Sequence, residues 1–320
     1  MKWHRGPVLW QLHKTLYCSV VFTWDVPRAI DMINKRQNEM GTPYGTITNG
    51  VRKNKFKVVV GGPGAMLMKE KFDGIAEIKN NLNPLEPVLF HNPLATFTTR
   101  GCINKCPFCA VPIIEGGFKE IKDFSPRPIV CDNNFLASSK SHFNKVIDKL
   151  KPLPFIDFNQ GLDARLFKKH VANRLCELKQ VQLRFAFDHI SMENAVVDAI
   201  KLAQTKGFKN IGCYLLFGFK DTPSDALYRA KILQSLKVLI YPMRYQPLNA
   251  VKKNMYIATN NGWTNYELNR FRAYWMHREF HKMKFEEFDP SKQLRQEDCG
   301  FGFYDKYKME RKKLYEGETK

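Results

Sequence analysis

The sequence contains no run of about 18 apolar residues, the length that a helix needs to cross a membrane. No uninterrupted apolar segment follows residues 1–7 either, so we expect neither a membrane partner nor a signal peptide. Cysteine is scarce, with 8 in 320 residues, which excludes a small secreted domain held together by disulfides. We therefore expect free cysteines and a cytoplasmic protein.

Acidic residues are scarce as well: the chain has 31 Asp and Glu against 51 Lys and Arg, a formal net charge of +20. Such an excess attracts nucleic acids and other polyanions. Basic residues concentrate at 52–57 and 270–284, and Phe271, Tyr274 and Trp275 lie between the cations of the second segment. These aromatic side chains either stack on bases or form the buried face of a helix. The chain has no recognised RNA-binding module, so nucleic acid is a candidate partner on charge alone.

Three cysteines lie close together in the sequence. Cys102, Cys106 and Cys109 have the spacing Cys-x3-Cys-x2-Cys. A loop of this size can direct three thiolates toward one point. Three thiolates on a [4Fe–4S] cube leave one iron without a protein ligand, and that iron can bind a small molecule. The spacing therefore favours an iron–sulfur site with one open position.

A structural zinc ion is the alternative interpretation of the same cysteines. Zinc needs a fourth ligand, usually from a Cys or His pair at short range, and neither His91 nor His142 has that spacing. The other cysteines form no second cluster motif; they are Cys18, Cys131, Cys176, Cys213 and Cys299. A non-catalytic iron–sulfur or zinc protein that binds nucleic acid stays open as an alternative function.

After the cysteine loop, short apolar runs alternate with helical patterns. This alternation predicts repeated strand–helix units and a mainly parallel sheet. One helix is predicted over residues 192–206; another opens at Thr222, an N-cap followed by Pro223, and a third follows a capping box at Thr264. Six strands are predicted, over residues 94–100, 128–131, 155–160, 182–188, 210–218 and 238–245.

At the three cysteines the chain resembles the radical S-adenosylmethionine (radical SAM) superfamily. The longer string from Arg100 to Pro112, with Gly116 and Gly117 after it, is most similar to the cobalamin-dependent type of that superfamily and to the tRNA methylthiotransferases. The resemblance covers residues 87–248 and implies a partial (β/α)6 barrel of TIM-like form. It also implies a [4Fe–4S] cluster on the three cysteines and SAM on the open iron. A reductant protein such as a flavodoxin or ferredoxin would be the electron-donating partner.

The resemblance predicts SAM contacts near the first two strands. Phe108, within the cysteine loop, would help to seat the adenine. Asp132, Asn133 and Asn134 lie where the superfamily contacts the SAM amino group, although its usual sequence there is Gly-Gly-Glu-like. Aspartate and asparagine after a strand are also ordinary turn residues, which is the alternative reading of all three.

Further contacts are predicted at the later strands. Asp188 lies where the ribose hydroxyls are commonly held, and Gly218 would let the backbone approach a ligand closely. Arg244 could contact the SAM carboxylate or the substrate. The alternatives are a helix cap for Asp188 and a surface ion pair for Arg244. No general acid or base can be identified from the sequence.

The parts outside the barrel resemblance are smaller. Residues 1–86 predict a small α/β region, with a strand at 17–24, a helix at 26–37, and a strand at 57–60 that runs into glycines. It resembles a truncated Rossmann-like cobalamin domain, but the signature Asp-x-His-x-x-Gly is absent, so we expect no cobalamin. Residues 87–250 form the predicted core, and 251–320 form a basic, helical C-terminal extension.

The function implied by the resemblance is reductive cleavage of SAM to a 5′-deoxyadenosyl radical that acts on an unassigned substrate. The positive charge adds a narrower alternative, an enzyme of the same superfamily that modifies RNA or a nucleotide.

Overall fold

A computed structural model describes residues 3–39, 57–80, 82, 87–256 and 261–292, together with the backbone of 47–48 and 51–52. The predicted boundary at residue 86, most of the basic stretch 52–57, Cys299 and the basic residues beyond 292 lie outside this part of the chain. The described residues form a mixed α/β protein with two main sheets. None of the helices in these ranges is both long and apolar enough to cross a membrane.

The N-terminal part is built on a four-stranded sheet. Its elements, with a separate two-stranded ribbon β3–β4, are β1 (Val8–Leu12), β2 (Thr15–Ser19), α1 (Val26–Glu39), β3 (Ile47–Thr48), β4 (Val51–Arg52), β5 (Lys57–Gly61), α2 (Pro63–Leu67) and β6 (Glu77–Ile78). The strand order is β1-β2-β5-β6, with β1 antiparallel and the others parallel. Helix α1 follows β2 in the chain, and its buried residues Ala29 and Ile33 belong to one hydrophobic cluster with residues of β2 and β5. The described N-terminal residues thus combine helices with a mostly parallel sheet, in keeping with the mixed α/β class of the protein.

Glycines at the end of β5 are required by close backbone packing. Gly62 has φ +90, a conformation that favours glycine. A Cβ atom on Gly64 would lie 2.6 Å from the backbone of Phe22. Because the turn is pressed against the end of the neighbouring segment, packing alone explains these glycines.

The second main sheet has six strands, all parallel and in sequential order. Its strands, in spatial order, are β7 (Ala95–Thr96), β10 (Ile129–Val130), β11 (Ile156–Phe158), β12 (Val181–Ala186), β13 (Asn210–Phe217) and β14 (Leu239–Arg244). The helices of this part are α3 (Pro87–His91), α4 (Val111–Ile114), α5 (Lys140–Leu150), α6 (Lys169–Leu175), α7 (Glu193–Thr205), α8 (Pro223–Ser235) and α9 (Asn265–Met276). Helices α5 to α8 each connect two consecutive strands. Among the described residues, no pairing joins β14 back to β7.

The two faces of this sheet differ in polarity. On β12, Leu183 and Phe185 join the main hydrophobic core, whereas Arg184 points to the opposite face because side chains alternate along a strand. There Arg184 donates to Asp157 of β11 at 3.0 and 2.8 Å, and to the hydroxyl of Tyr214 at 3.2 Å. The face opposite the main hydrophobic core therefore holds a buried polar network.

The first predicted strand is divided into two. Ala95–Thr96 belongs to the parallel sheet, whereas β8 (Thr99–Arg100) pairs with β9 (Lys119–Glu120) in a separate antiparallel ribbon. The division occurs at Thr98, whose backbone N–H donates to the Asp132 carboxylate at 2.6 Å. A side-chain acceptor thus takes the place of the next backbone bond, and the chain leaves the sheet. The sequence offered no signal for this exchange.

The predicted N-caps at Thr222 and Thr264 are confirmed, whereas the predicted capping box at Thr264 is formed only on its hydroxyl side. Thr222 and Asp225 form a complete capping box at the start of α8. The Thr264 hydroxyl accepts from the backbone N–H of Glu267. Helix α9 contacts β14, and its aromatic residues Phe271, Tyr274 and Trp275 are buried in the main core. These rings are the packing face of the helix, and none of the three is available to stack on a base.

Candidate iron–sulfur and cofactor site

The cysteine motif lies in a loop whose two ends are held together. Residues 101–118 connect the paired strands β8 and β9. Arg100 forms an ion pair with Glu115 inside the loop, and its guanidinium lies 4.0 Å from the Phe97 ring centroid. Gly101 has φ +76, and a Cβ atom there would overlap the carbonyl oxygen of Gly117. The loop is therefore closed at its base.

Two polar residues that follow β10 fasten the start of this loop. The Asn133 side-chain oxygen accepts from the backbone N–H of Gly101 at 3.0 Å. The carboxylate of Asp132 accepts from both the backbone and the hydroxyl of Thr98. Burial raises the pKa of Asp132, and the hydrogen bonds from Thr98 and Thr99 oppose that rise. Asp132 and Asn133 thus orient the chain that carries the cysteines.

The three cysteines are free, half-buried thiols. The pKa values of Cys106 and Cys109 are raised, mainly by burial and further by the neighbouring cysteines and Asp188. For Cys109 a hydrogen bond from the Val111 backbone opposes this rise. Because the charges of neighbouring cysteines contribute to the raised pKa values of Cys106 and Cys109, the three residues are electrostatic neighbours. Within the described ranges, no three His, Cys, Asp or Glu side chains already form a metal-binding group.

Nitrogen donors surround the sulfur of Cys102. The backbone N–H of Asn104 donates to it at 3.3 Å, and the side-chain amide of Asn134 donates at 3.4 Å. The oxygen of that same Asn134 amide is buried and has no hydrogen-bond partner. An unpaired buried acceptor is costly, so it is a natural position for a ligand donor. Asn134 is the one residue of the predicted Asp132–Asn134 group with a free acceptor of this kind.

An ion pair borders the loop on the side of β11. Arg165 donates to Asp163 through two nitrogens, each at 2.8 Å, and Asp163 also accepts from the Asn104 amide at 3.0 Å. These contacts lower the pKa of Asp163, although burial opposes the change. Arg165 is close enough to Cys106 and Cys102 for their charges to raise its own pKa. A positive group therefore lies beside the thiols.

Asp188 follows β12 and is another electrostatic neighbour of Cys106 and Cys109. Burial raises the pKa of Asp188 to about 6, while the positive charges of Arg229 and Arg165 oppose the rise. Among the residues that the structure describes, none forms a hydrogen bond or ion pair with its carboxylate, so the predicted helix-capping alternative is not realised. The carboxylate is left as an acceptor near the thiols.

A row of aromatic rings leads from the cysteine loop to the end of β14. Phe108 meets Phe219 edge-on at 5.6 Å between ring centroids, and Phe219 contacts Tyr245 at 4.7 Å. Gly218, just before Phe219, has φ +80 and donates its N–H to Asp221 at 2.8 Å. A Cβ atom there would lie 2.7 Å from Leu268. The turn and this packing account for the glycine, and the predicted ligand contact at Gly218 stays a prediction.

Arg244 lies at the other end of this row. Its terminal nitrogens donate to Asn269 at 3.0 Å and to Asn265 at 3.2 Å, both on α9. In the part of the chain that is described, no carboxylate forms an ion pair with it, so the predicted surface ion pair is not formed. Its charge thus has no counterion among the described residues.

The two histidines considered as zinc ligands have other partners. His91 contacts the Ser19 hydroxyl at 3.1 Å and the backbone oxygen of His4 at 3.0 Å. His142 is buried against the backbone oxygen of Thr98 at 2.9 Å. Neither side chain is therefore directed at the cysteines.

The structure adds residues that the sequence analysis did not select. Asn104 and Arg165 reach the thiols or their neighbour Asp163, and Phe219 packs on Phe108. Asn104 could have been found, because it lies inside the motif. Arg165 and Phe219 are far from the motif in the sequence, and only the parallel order of the strands brings them to it. No known protein family matches this chain, and no curated protein is similar to it at a significant level.

Proposed function

We propose that this protein is a radical SAM enzyme whose [4Fe–4S] cluster is held by Cys102, Cys106 and Cys109. The observation that carries the proposal is one loop, closed at its base, that carries three thiols as electrostatic neighbours and places two N–H donors at the sulfur of Cys102. Thiolates are the usual protein ligands of such clusters. The unpaired oxygen of Asn134 beside Cys102 supports a further ligand at the same place.

The residues around the loop have distinct tasks in this proposal. Once reduced, a cluster held by these cysteines would supply one electron to SAM, and cleavage of the C5′–S bond would give methionine and a 5′-deoxyadenosyl radical. The N–H groups of Asn104 and Asn134 stabilise the added negative charge on sulfur. Arg165 contributes a nearby positive charge and is held in place by Asp163. Asp132 and Asn133 position the loop and need not touch SAM.

We assign the SAM contacts by the free acceptors of the site. The Asn134 oxygen is suited to the SAM ammonium group, and the Asp188 carboxylate is suited to two ribose hydroxyls. Phe108 offers a ring face or edge to the adenine, and Phe219 supports it. These contacts lie at the carboxyl ends of parallel strands, where α/β folds place their sites.

We further propose that the six-stranded sheet is a partial (β/α)6 barrel. The support is its sequential, fully parallel strand order with a helix after each of β10 to β13. The polar network of Arg184 and Asp157, on the face opposite the main hydrophobic core, would then line the barrel interior. We propose a flavodoxin or ferredoxin type of reductant as the electron donor. We propose no role for cobalamin, because the glycines after β5 are explained by packing.

The test compares variants of two cysteines in anaerobically reconstituted protein. Wild type should contain about four irons per chain and should convert SAM to 5′-deoxyadenosine under a strong reductant. Cys106→Ala should lose both properties. Cys176→Ser is the matched control, because Cys176 is exposed and outside the motif, and it should retain both. Zinc in place of iron, or cluster and cleavage retained in Cys106→Ala, would overturn the proposal.

A further inference from the structure

Arg244 is held in place at the end of β14 by amides instead of an acid. Asn265 and Asn269 lie four residues apart on α9 and accept from its two terminal nitrogens. Its third nitrogen, Nε, is buried and has no hydrogen-bond partner. Since amide oxygens carry no net charge, they fix the direction of the guanidinium without neutralising it.

A second arginine, Arg272, lies near Arg244. Arg272 lies three residues after Asn269 on α9, which puts it on the same helix face. Burial lowers the pKa of Arg244, and the charge of Arg272 lowers it further, so the two guanidinium groups are electrostatic neighbours. Within the described ranges, Arg272 has no ion pair and no hydrogen bond. Two like charges held together without an acid destabilise the protein unless an anion joins them.

Arg244 lies at the edge of the sheet where the carboxyl ends of the parallel strands meet. Arg244 ends β14, and the next residue, Tyr245, contacts Phe219, which in turn contacts Phe108 of the cysteine loop. The exposed Lys252 and Lys253 follow shortly after in the chain. The chain as a whole carries a formal charge of +20, so anionic ligands are attracted to it.

We propose that Arg244 and Arg272 bind a phosphate group of the substrate, so that the substrate is a nucleotide, free or within RNA. This assignment of the phosphate to a substrate rests on the proposed function. Arginine binds phosphate through paired N–H donors, and two arginines match the double negative charge of a phosphate monoester or adjacent charges on an RNA strand. The row of Tyr245, Phe219 and Phe108 then lies between the phosphate and the cysteine loop, where a base can stack.

The test measures binding to the full chain with its cluster reconstituted, at constant ionic strength. The probes are uridine, uridine 5′-monophosphate and a twelve-nucleotide single-stranded RNA. Wild type should bind the monophosphate more tightly than uridine. Arg244→Gln and Arg272→Gln should each lower that preference about tenfold, the effect of losing one charged hydrogen-bonding group. The control Lys201→Gln removes the same charge from an exposed position on α7 and should keep the preference.

Each outcome decides one question. If RNA binds far more tightly than the monophosphate and is weakened by the same two variants, the phosphate belongs to an RNA chain; if the two bind alike, the substrate is a free nucleotide. Equal binding of uridine and its monophosphate, or a preference that survives in both variants, overturns the proposal. The proposal is also overturned if the two variants weaken the binding of SAM alone, because that result would assign the arginine pair to the cofactor. Cleavage of SAM by wild type is measured separately, so failure of the phosphate site and failure of the proposed function are distinguishable.

Discussion

At the scale of single residues, the roles of the three polar residues after β10 differ. The sequence treats Asp132, Asn133 and Asn134 as one predicted SAM-binding group. In the structure the first two hold the chain before the cysteines, and only the third has a free buried acceptor. The sequence could place the group at the end of a strand, but hydrogen-bond partners depend on the path of a loop more than thirty residues earlier.

Asn134→Leu tests this division. Leucine keeps the branched shape at Cγ but removes the donor to Cys102 and the unpaired acceptor. We expect the midpoint potential of the cluster to become more negative, because a sulfur with fewer N–H donors accepts an electron less readily. We also expect SAM to bind about tenfold more weakly, through the loss of one hydrogen bond to a charged group. A redox titration followed by electron paramagnetic resonance (EPR), and equilibrium binding of SAM, measure the two effects.

The control is Asn194→Leu, at an exposed position near the start of α7. It should change neither the potential nor the affinity. An Asn134→Leu protein with an unchanged potential and unchanged SAM binding would show that the amide has only a packing role.

At the scale of elements, repeated apolar runs predict all six parallel strands. A threonine three residues before an acid predicts the N-caps at Thr222 and Thr264. These signals are local: alternation of apolar residues for strands, and a hydroxyl three residues before an acid for caps. The separation of β8 from β7 could not be predicted, because it depends on a side chain from a different strand. The pairing of β8 with β9, which closes the cysteine loop, could not be predicted for the same reason.

Glycine substitutions test how strongly that closure matters. In Gly101→Ala the new methyl group would overlap the Gly117 carbonyl, and φ +76 is strained for alanine. We expect this variant to bind substantially less iron than wild type after identical reconstitution. Gly117→Ala is a close control, because a Cβ atom there meets nothing within 4 Å. It should load normally. Equal iron in the two variants would contradict a role for the tight loop base.

At the scale of the whole molecule, the C-terminal segment is less separate than its sequence indicates. Trp263, Phe271 and Trp275 are buried in the same hydrophobic core as the parallel sheet. Composition and charge marked this region as a basic extension, because spacing along one helix cannot show what lies against it. The same packing brings Arg272 next to Arg244, a pairing that no local pattern could reveal.

The N-terminal region also contacts the core, and two of its contacts, besides those of His91, are side-chain hydrogen bonds to the core backbone. The Thr23 hydroxyl donates to the backbone oxygen of Ala250 at 2.5 Å, and the Asn80 amide donates to Ile114 at 2.6 Å. The second contact lies on α4, directly after the cysteine motif. A small α/β region thus buttresses the loop that carries the thiols.

The central claim is an iron cluster with one iron left open for SAM, and EPR of the reduced protein tests it most directly. Anaerobically reconstituted, full-length protein is reduced, and its spectrum is recorded with and without SAM. We expect a [4Fe–4S] signal whose g values shift when SAM is added. A protein that takes up no iron, or a cluster whose spectrum is identical with and without SAM, would contradict the account.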